Sequence, residues 1–329
     1  MKKRIIFAAA LAALLSGACS KVIDFTGDFT NTELVMVSQA EADSAWHIKV
    51  TQSKFFLGRD TIATIKNATF DITVNGQPVS CSPVHEGGGV YNTGIVPHCG
   101  DSLSVHVNVP GRSPISASCS IPQKPDISDV HLEWDTTCYT NQWTNYAGDT
   151  IIESYASGNV YIKFRLLDPA DERNYYMVRV AYDRDGYHNY EDIWLEDDIL
   201  FPIDATDEVF DIGLSEDENY GRRILFSDDR INGQKHTVSV AMSYYESWDN
   251  TTHFDGKHLV LEIYAVSRDL YLYWRTVNAA QNSDEIFSQI ISEPVQVHCN
   301  VTDGIGILGG MAAAKYDVGL IGPNGQKAQ

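Results

Sequence analysis

The sequence predicts a mainly β protein: an N-terminal immunoglobulin-like β-sandwich followed by a larger antiparallel β-domain that carries one amphipathic helix. The first observation is that apolar and polar residues alternate in many short stretches, which is typical of strands with one buried face. The second is that Gly, Asn and Pro separate these stretches. The third is that the 329 residues are 43% hydrophobic and 11% aromatic, enough for a sizeable core and for two domains.

The predicted first domain covers residues 32–122. Its apolar residues alternate in four places: Trp46, Ile48 and Val50; Phe70, Ile72 and Val74; Leu103, Val105, Val107 and Val109; and Ile115, Ala117, Cys119 and Ile121. Asn75-Gly76 ends the second stretch and is a strong signal for a hairpin turn. Short strands over about a hundred residues are typical of an immunoglobulin-like sandwich. Pro122 and Pro125 then indicate a linker.

The predicted second domain covers residues 126–314. Strands are expected near 130–134, 160–166, 175–182, 236–244 and 258–266, where the apolar residues alternate or form buried β-branched runs. Between 268 and 281 the pattern changes, because Leu270, Trp274 and Val277 recur at helical spacing. This spacing predicts one amphipathic helix, with Ser267 as its N-cap. Residues 315–329 are predicted to form a tail.

The N-terminus has the layout of a secretory signal peptide. A basic start at residues 2–4 precedes the apolar run 5–15, which is too short to span a bilayer, and small residues lead up to Cys19. This arrangement resembles a bacterial lipobox, which predicts a signal peptide at 1–18 and an acylated Cys19 that opens a stalk at 19–31. Several acyl chains, palmitate among them, would hold the protein on a membrane outside the cytoplasm. The alternative is an ordinary secreted protein with a chance cysteine.

The net charge of the chain limits the classes of molecule that are expected to bind it. The whole chain carries a formal net charge of −20, and without the three basic residues of the signal peptide 21 basic groups face 44 acidic ones, or −23. Such a field repels nucleic acid and anionic lipid head groups, so neither is expected as a partner.

Five cysteines follow the lipid cysteine, and the oxidising compartment favours disulfides among them. Cys81, Cys99 and Cys119 lie in one predicted domain, so we expect a bridge between two of these three. His98-Cys99 and His298-Cys299 do not have the spacing of a Cys/His metal framework. The sequence therefore predicts neither a metal site nor a cofactor.

No catalytic signature stands out in the sequence. It has no nucleophile elbow, no zinc-protease motif, no phosphate-binding loop and no dinucleotide fingerprint. The acidic residues of the run 191–198 offer carboxylates for a glycoside hydrolase, but such runs are usually solvated surface. We therefore expect a protein that is not an enzyme, with a glycan-active hydrolase as an alternative.

Two segments combine aromatic and small polar residues in the way that binding loops do. They are 134–155 and 244–254, and their leading candidates are Trp143, Tyr146 and Trp248. The same mixture stacks on sugars, so the ligand is expected to be a glycan or a peptide. The alternative is that these aromatics close the ends of the sandwich and contact no ligand.

Several motifs together resemble a known family. They are Lys21-Val22-Ile23-Asp24, Asp168-Pro169-Ala170, Asn174-Tyr175-Tyr176, Phe226-Ser227-Asp228, Asn232-Gly233, Glu293-Pro294-Val295, Asn300-Val301, Gly304-Ile305-Gly306 and Gly309. Their order is similar to that in a family of Bacteroidota outer-membrane lipoproteins, the domain-of-unknown-function family numbered 4249. The resemblance runs from the anchor to about Ala314. It implies a cell-envelope lipoprotein encoded beside TonB-dependent outer-membrane receptors, and it carries no catalytic residues.

These observations predict a lipid-anchored protein of the cell outer membrane, surface-exposed rather than periplasmic. Its expected role is a non-enzymatic binding or accessory component of a TonB-dependent receptor for nutrient uptake. A structural or adhesive surface lipoprotein is the first alternative, and the glycan-active hydrolase is the second.

A last regularity concerns Asp followed by Ser or Thr. All five such pairs continue with Ala, Ile, Leu or Thr, which resembles the O-glycosylation signal of exported Bacteroidota proteins. The favoured acceptors are Thr136 and Thr150, followed by Ser44. The alternative is that strands often begin with a polar turn residue followed by β-branched and apolar ones.

Overall fold

The structure of the chain is a computed structural model. It describes residues 32–53, 62–170, 172–184, 187–195, 199–200, 223–249, 257–284 and 295–321. Strands make up 61% of it and helix 6%, which confirms the mainly β fold that the sequence predicts. Within those ranges, no helix is both long and apolar enough to cross a membrane.

The first part of the chain forms two layers of sheet around one core. Its strands are β1 (Leu34–Glu41), β2 (His47–Gln52), β3 (Thr69–Val74), β4 (Gln77–Val79), β5 (Val84–Gly87), β6 (Val90–Asn92), β7 (Ser102–Asn108) and β8 (Ile115–Ser120). One layer is a four-stranded antiparallel sheet in the order β4-β3-β7-β8, which we call the small sheet. The other layer contains β1, β2, β6 and β5.

The predicted alternation matches the buried faces of this first sandwich. Trp46 and Ile48 from one layer and Val105 from the other are fully buried in a shared core. The predicted hairpin turn is also present, because Asn75 and Gly76 have φ values of 53° and 73°. Positive φ at both central residues is what a tight type I′ turn requires.

The second part of the chain contributes nine more strands and a helix. They are β9 (Asp126–Thr144), β10 (Thr150–Leu167), β11 (Tyr175–Arg184), β12 (Tyr187–Tyr190), β13 (Ile193–Leu195), β14 (Ile224–Ser227), β15 (Lys235–Asp249), β16 (Lys257–Val266), α1 (Arg268–Asp284) and β17 (Ile305–Ile321). Each of the five strands predicted in this part lies within one of β9, β10, β11, β15 and β16. The predicted helix at 268–281 is confirmed as α1.

One long sheet runs through both parts of the chain. Its order is β12-β11-β16-β17-β1-β2-β6-β5, with β14 beside β11. The final strand, β17, pairs in parallel with the first, so that Val35 lies opposite Ile305. The predicted linker near residues 122–126 therefore separates two cores but does not divide the sheet. Residues 315–321, predicted as the start of a tail, belong to β17, and 322–329 lie outside the described residues.

The second core lies between the long sheet and a third, antiparallel sheet in the order β13-β15-β10-β9. Val160 and Ile162 of β10 face Val180 of β11 and Leu261 of β16, and all four are fully buried. The larger β-domain is therefore a second sandwich, and it shares the long sheet with the first.

The helix α1 covers the opposite face of the long sheet. Leu270 and Trp274 pack there against Tyr264 and Ile307, which point away from the two sandwich cores. The role predicted for Ser267 is only half right: its carbonyl accepts the first helical hydrogen bond from the amide of Tyr271. Its hydroxyl instead accepts a hydrogen bond from the amide of Gly310 at 3.1 Å, so it ties the helix to β17.

The glycines of β17 permit the close contacts at this junction. A Cβ on Gly306 would lie 1.9 Å from the carbonyl oxygen of Met36 in β1, and its φ is +123°. A Cβ on Gly309 would lie 2.6 Å from that of Leu270 in α1. The glycine-rich motif of the resemblance is therefore needed to fit a strand between its neighbour and a helix.

Candidate binding surface

Three strands of the third sheet run from the edge of the second core, where Ala156 and Tyr244 are still buried, to a tip beyond it. We call this extension the arm and define it as residues 135–144 of β9, 150–159 of β10 and 243–249 of β15. The pairing of β10 with both neighbours continues to Thr150 opposite Thr144 and to Glu153 opposite Asp249. Residues 137–144 are all exposed, whereas Val160 further along β10 is buried. The residues 150–155, which lie beyond buried Ala156 on β10, correspond to roughly 20 Å of strand, so the arm projects past the second core.

The tip of the arm is an ordered turn. The amide of Asn145 donates to the carbonyl of Asp149 at 2.9 Å, and the Asn145 side-chain oxygen accepts from the amides of Ala147 and Asp149. Gly148 supplies the left-handed conformation, with φ at 86°. Tyr146 sits in this turn and is fully exposed.

Four aromatic side chains share the outer face of the arm, the face turned away from the second core. Tyr139 lies directly opposite Tyr155, and Tyr245 lies one row nearer the body, opposite Ser157. Trp143 is four residues beyond Tyr139 on the same strand and therefore on the same face. Tyr139, Trp143 and Tyr245 are 58%, 49% and 63% exposed. We call these four residues the aromatic face.

Polar groups lie between the aromatic residues. Asn141 and Glu153 pair across the strands and occupy the row between Tyr139 and Trp143. The hydroxyl of Tyr155 donates a hydrogen bond to Glu153, and this bond raises the pKa of Tyr155. The arm's sequence contains four acidic residues and no Lys, Arg or His. Its outer face thus offers aromatic rings, amides, hydroxyls and carboxylates, without any positive charge.

The structure places the three predicted binding residues on this arm, although in a different form from that predicted. Trp143 is in β9 and Tyr146 is at the tip, both exposed, whereas Trp248 is in β15 opposite Ser154, and the structure describes only its backbone. The prediction that these segments are loops is wrong for 134–155 and 244–249, which form strands and a tight turn, and residues 250–254 lie outside the described residues. Sequence reasoning did not select Tyr245 as a site residue; the only signal for it is the two-residue period along β15.

Not every aromatic of these segments is exposed. Trp134 turns inward at the base of the arm and packs on the second core, with its ring edge-on to buried Tyr244 at 5.4 Å between centroids. For Trp134, then, the alternative of an aromatic that closes the sandwich is the correct one.

The proposed glycosylation acceptors differ in exposure. Thr150, at the start of β10 next to the tip of the arm, is exposed, whereas Thr136 and Ser44 are half-buried. Exposure makes Thr150 the most accessible of the three hydroxyls, and its modification stays a prediction.

The predicted disulfide is not formed in this structure, because Cys81, Cys99 and Cys119 all have free thiols. Cys81 follows β4 at one edge of the small sheet, and Cys119 lies on β8 at the other edge. These two edge strands are about 14 Å apart, whereas bridged Cα atoms lie about 4.4–6.8 Å apart. Cys99 precedes β7, where its neighbour Gly100 pairs with Ile121. Burial raises the pKa of the Cys119 thiol to about 12, which makes it unreactive.

A row of charged residues crosses the helix side of the long sheet. Arg179, Glu262 and Lys315 are consecutive cross-strand neighbours, and Glu262 is 3% exposed and forms ion pairs with both basic groups. The Arg179 guanidinium also donates to the Tyr264 hydroxyl at 2.6 Å and lies 4.3 Å from the ring centroid of Tyr190. Burial raises the pKa of Glu262, but the two cations outweigh it and hold that pKa below its usual value. With its charges paired internally, the row is a structural feature.

Two pairs of neighbouring motifs of the resemblance, one pair at 168–176 and the other at 226–233, are joined by hydrogen bonds. The Asp168 carboxylate accepts from the Tyr176 hydroxyl at 2.6 Å and from the Gly233 amide at 3.0 Å. The Asp228 carboxylate accepts from the Asn174 amide at 2.7 Å, while its other oxygen is buried with no partner among the described residues. Burial raises the pKa of Asp228. These contacts join the segment before β11 to the segment before β15, so these motif residues are structural.

The motif near Asn300 is also structural. Its amide oxygen accepts from the backbone of Leu308 at 2.9 Å, and its amide nitrogen donates to the carbonyl of the same residue at 2.9 Å. The side chain therefore pairs with β17 as a further strand would. Glu293 and Pro294 lie outside the described residues, as do the acidic residues 196–198. In the described part of the chain, no group of three or more His, Cys, Asp or Glu residues is placed to hold a metal ion.

Comparison with known proteins gives a single kind of match. A family model described as "Domain of unknown function (DUF4249)" matches residues 21–317, a range that includes the arm and every strand except the last four residues of β17. No curated protein and no solved structure matches the chain.

Proposed function

The chain belongs to the family described as a domain of unknown function, DUF4249, and we propose that it is a non-enzymatic binding protein of the cell envelope. The observation that supports this proposal is the arm, whose outer face exposes Tyr139, Trp143 and Tyr245. Large aromatic side chains dominate the energetics of binding sites, and a set of them exposed together is typical of an interaction surface. A projecting ribbon also carries them away from the body, towards a partner.

In this proposal, the protein is a Bacteroidota lipoprotein of the outer membrane and faces the outside of the cell. Residues 1–18 are removed as a signal peptide, and Cys19 carries the lipid. Residues 20–31 then link the anchor to β1. The net charge of −23 on the remaining chain favours a solvated position above the membrane surface over contact with anionic head groups.

The proposed partner is a TonB-dependent outer-membrane receptor, for which the chain would act as an accessory component in nutrient uptake. The support is the resemblance to envelope lipoproteins encoded beside such receptors, together with the exposed residues of the arm. A receptor whose extracellular loops contact the arm would place the arm's ligand close to the receptor's entrance.

The test is a mild cross-linking pull-down from detergent-solubilised outer membrane. We expect the wild-type chain to capture a TonB-dependent receptor and the variant Trp143→Ala/Tyr146→Ala to capture much less of it. Both side chains are exposed, so the melting temperature should change by only a few degrees. Leu167→Ala is the matched control, because Leu167 is 45% exposed on β10 outside the arm.

The outcomes separate the proposal from its alternatives. Equal capture of the receptor by the wild type and the arm variant would show that the arm is not the contact. No receptor capture, with adhesion to other cells or surface polymers that the arm variant loses, would favour a structural or adhesive lipoprotein.

A further inference from the structure

The outer face of the arm alternates between aromatic and polar rows. Moving from the tip to the body, the rows are Trp143 with Ile151, Asn141 with Glu153 and Asp249, Tyr139 with Tyr155 and Ser247, and Thr137 with Ser157 and Tyr245. Successive rows on one face of a strand lie about 7 Å apart, and directly opposed side chains begin about 5 Å apart. The aromatic groups are therefore spread along the arm instead of forming one continuous apolar patch.

This alternation matches a ligand that is itself both apolar and polar along its length. A sugar ring has an apolar face of C–H groups that packs on an aromatic ring, and a rim of hydroxyls that both donate and accept hydrogen bonds. The carboxylate of Glu153 accepts from such hydroxyls, and the amide of Asn141 both donates and accepts. Tyr139 and Tyr155 lie directly opposite each other and give this row two aromatic side chains.

The charge of the arm selects among sugar polymers. Its four acidic residues are not balanced by any Lys, Arg or His in the arm. An anionic polysaccharide would be repelled, and it would find no cation to pair with. A neutral chain makes the same stacking and hydrogen-bond contacts without this repulsion.

A folded protein partner can contact Trp143 and Tyr146 near the tip, but it fits the whole length of the aromatic face less well. Protein hot spots cluster in a central patch that is fully desolvated and ringed by less important contacts. On the arm, the polar row of Asn141 and Glu153 separates Trp143 from Tyr139 and would have to be desolvated at the centre of such a patch. An extended glycan leaves that row hydrogen-bonded and partly wet.

We propose that the aromatic face of the arm, built from Tyr139, Trp143, Tyr155 and Tyr245, binds a neutral, extended glycan chain. This inference rests on the proposed binding function and names the ligand class of the same site. The glycan lies along the arm, its rings stack on the aromatic side chains, and its hydroxyls bond to Asn141 and Glu153.

The experiment is native affinity electrophoresis of the purified soluble chain, without its anchor, in gels that contain one polysaccharide each. The neutral probes are laminarin, xyloglucan, α-mannan and dextran, and the anionic probe is polygalacturonate. We expect at least one neutral polymer to retard the wild type, and polygalacturonate not to. Tyr139→Ala/Tyr155→Ala should weaken that retardation about tenfold or more, which corresponds to the loss of one or two aromatic anchors.

Matched variants identify the cause of any loss. Tyr139→Phe retains the ring and should retain most of the binding, whereas Glu153→Gln should weaken it because the amide accepts fewer hydrogen bonds. Thr140→Ala changes the opposite face of the same strand and should leave binding unchanged. Circular dichroism of each variant verifies that the sheet is intact.

The inference fails if no neutral polymer retards the wild type, or if the double variant is retarded as strongly as the wild type. Stronger binding to polygalacturonate than to the neutral polymers would also overturn it. The receptor pull-down separates the two proposals. Receptor capture that Trp143→Ala/Tyr146→Ala reduces, without any glycan binding, would retain the proposed function and refute the ligand class, whereas neither receptor capture nor glycan binding by the wild type would refute both.

Discussion

Replacing Asp168 by Ala should destabilise the protein more than any other single change of a carboxylate in the segments that precede β11 and β15. Asp168 is 3% exposed and accepts hydrogen bonds from the Tyr176 hydroxyl at 2.6 Å and the Gly233 amide at 3.0 Å. The substitution leaves the buried Tyr176 hydroxyl without a partner, which costs about 1–3 kcal/mol, and removes the bond from the exposed Gly233 amide, which costs about 0.5–1.5 kcal/mol. We therefore expect the free energy of unfolding to fall by about 3 kcal/mol.

The assay is urea unfolding followed by far-UV circular dichroism, with a double-mutant cycle that adds Tyr176→Phe. Alone, Tyr176→Phe should cost about 1–2 kcal/mol, because it removes one bond to a buried carboxylate. In the Asp168→Ala background it should cost nothing or restore some stability, because it removes an unpaired hydroxyl. Asp126→Ala, at an exposed acidic residue, is the control and should change the free energy by less than about 0.5 kcal/mol.

The reasoning is refuted if Tyr176→Phe costs the same in both backgrounds, because the hydrogen bond would then contribute no coupling. It is also refuted if Asp168→Ala is no more destabilising than the exposed control. Either result would mean that these motif residues have a role other than joining the two segments.

Four further predictions follow from other parts of the molecule. Glu262→Gln should lower the free energy of unfolding at pH 7 by about 3 kcal/mol, because it leaves the largely buried Arg179 without its ion-pair partner. Since the pKa of Glu262 is lowered in the folded state, this difference from wild type should be complete above the ordinary pKa of 4.5. In a pH series of urea titrations, the difference should shrink as the pH falls below that value. Gly306→Ala should cost at least about 3 kcal/mol, whereas Gly111→Ala, whose φ of +77° is also positive but which has open space around it, should cost only about 1 kcal/mol by the same assay. Cys19→Ala should abolish acylation, and an unmodified mature N-terminus in the mass spectrum of the wild type would contradict the lipid anchor. Intact-mass analysis of the protein from its native envelope should show added sugar that Thr150→Ala reduces, and a mass equal to polypeptide plus lipid would exclude glycosylation.

Strands and helices with one buried face were the easiest elements to predict from the sequence. Val105 in β7, Val180 in β11 and Leu270 in α1 all lie where the period of apolar residues places them. The reason is local: a strand or a helix that packs on one side must repeat its apolar residues with its own geometric period. The turn at Asn75-Gly76 was equally easy to predict, because few residues tolerate positive φ at two successive positions.

The strands of the arm could not be predicted from the sequence in the same way. Residues 137–144 are exposed on both faces, so no apolar period marks them as a strand. Their conformation depends on cross-strand hydrogen bonds with 150–157 beyond the turn, and that strand in turn pairs with 243–249, which are distant in sequence. Sequence reasoning therefore selected Trp143 and Tyr146 by composition, but it could not determine that Tyr245 joins the same face.

The sequence by itself determined the class of fold, the helix, most of the buried residues and the family motifs, because each depends on residue type and short-range spacing. Only the tertiary structure decided that β17 returns to pair with β1, that Asp168 and Asp228 join two of the motifs, and that the aromatic face assembles from three strands. The physical reason is that pairing between distant segments is set by the summed burial and hydrogen bonding of the whole sheet. No local stretch of sequence contains that sum.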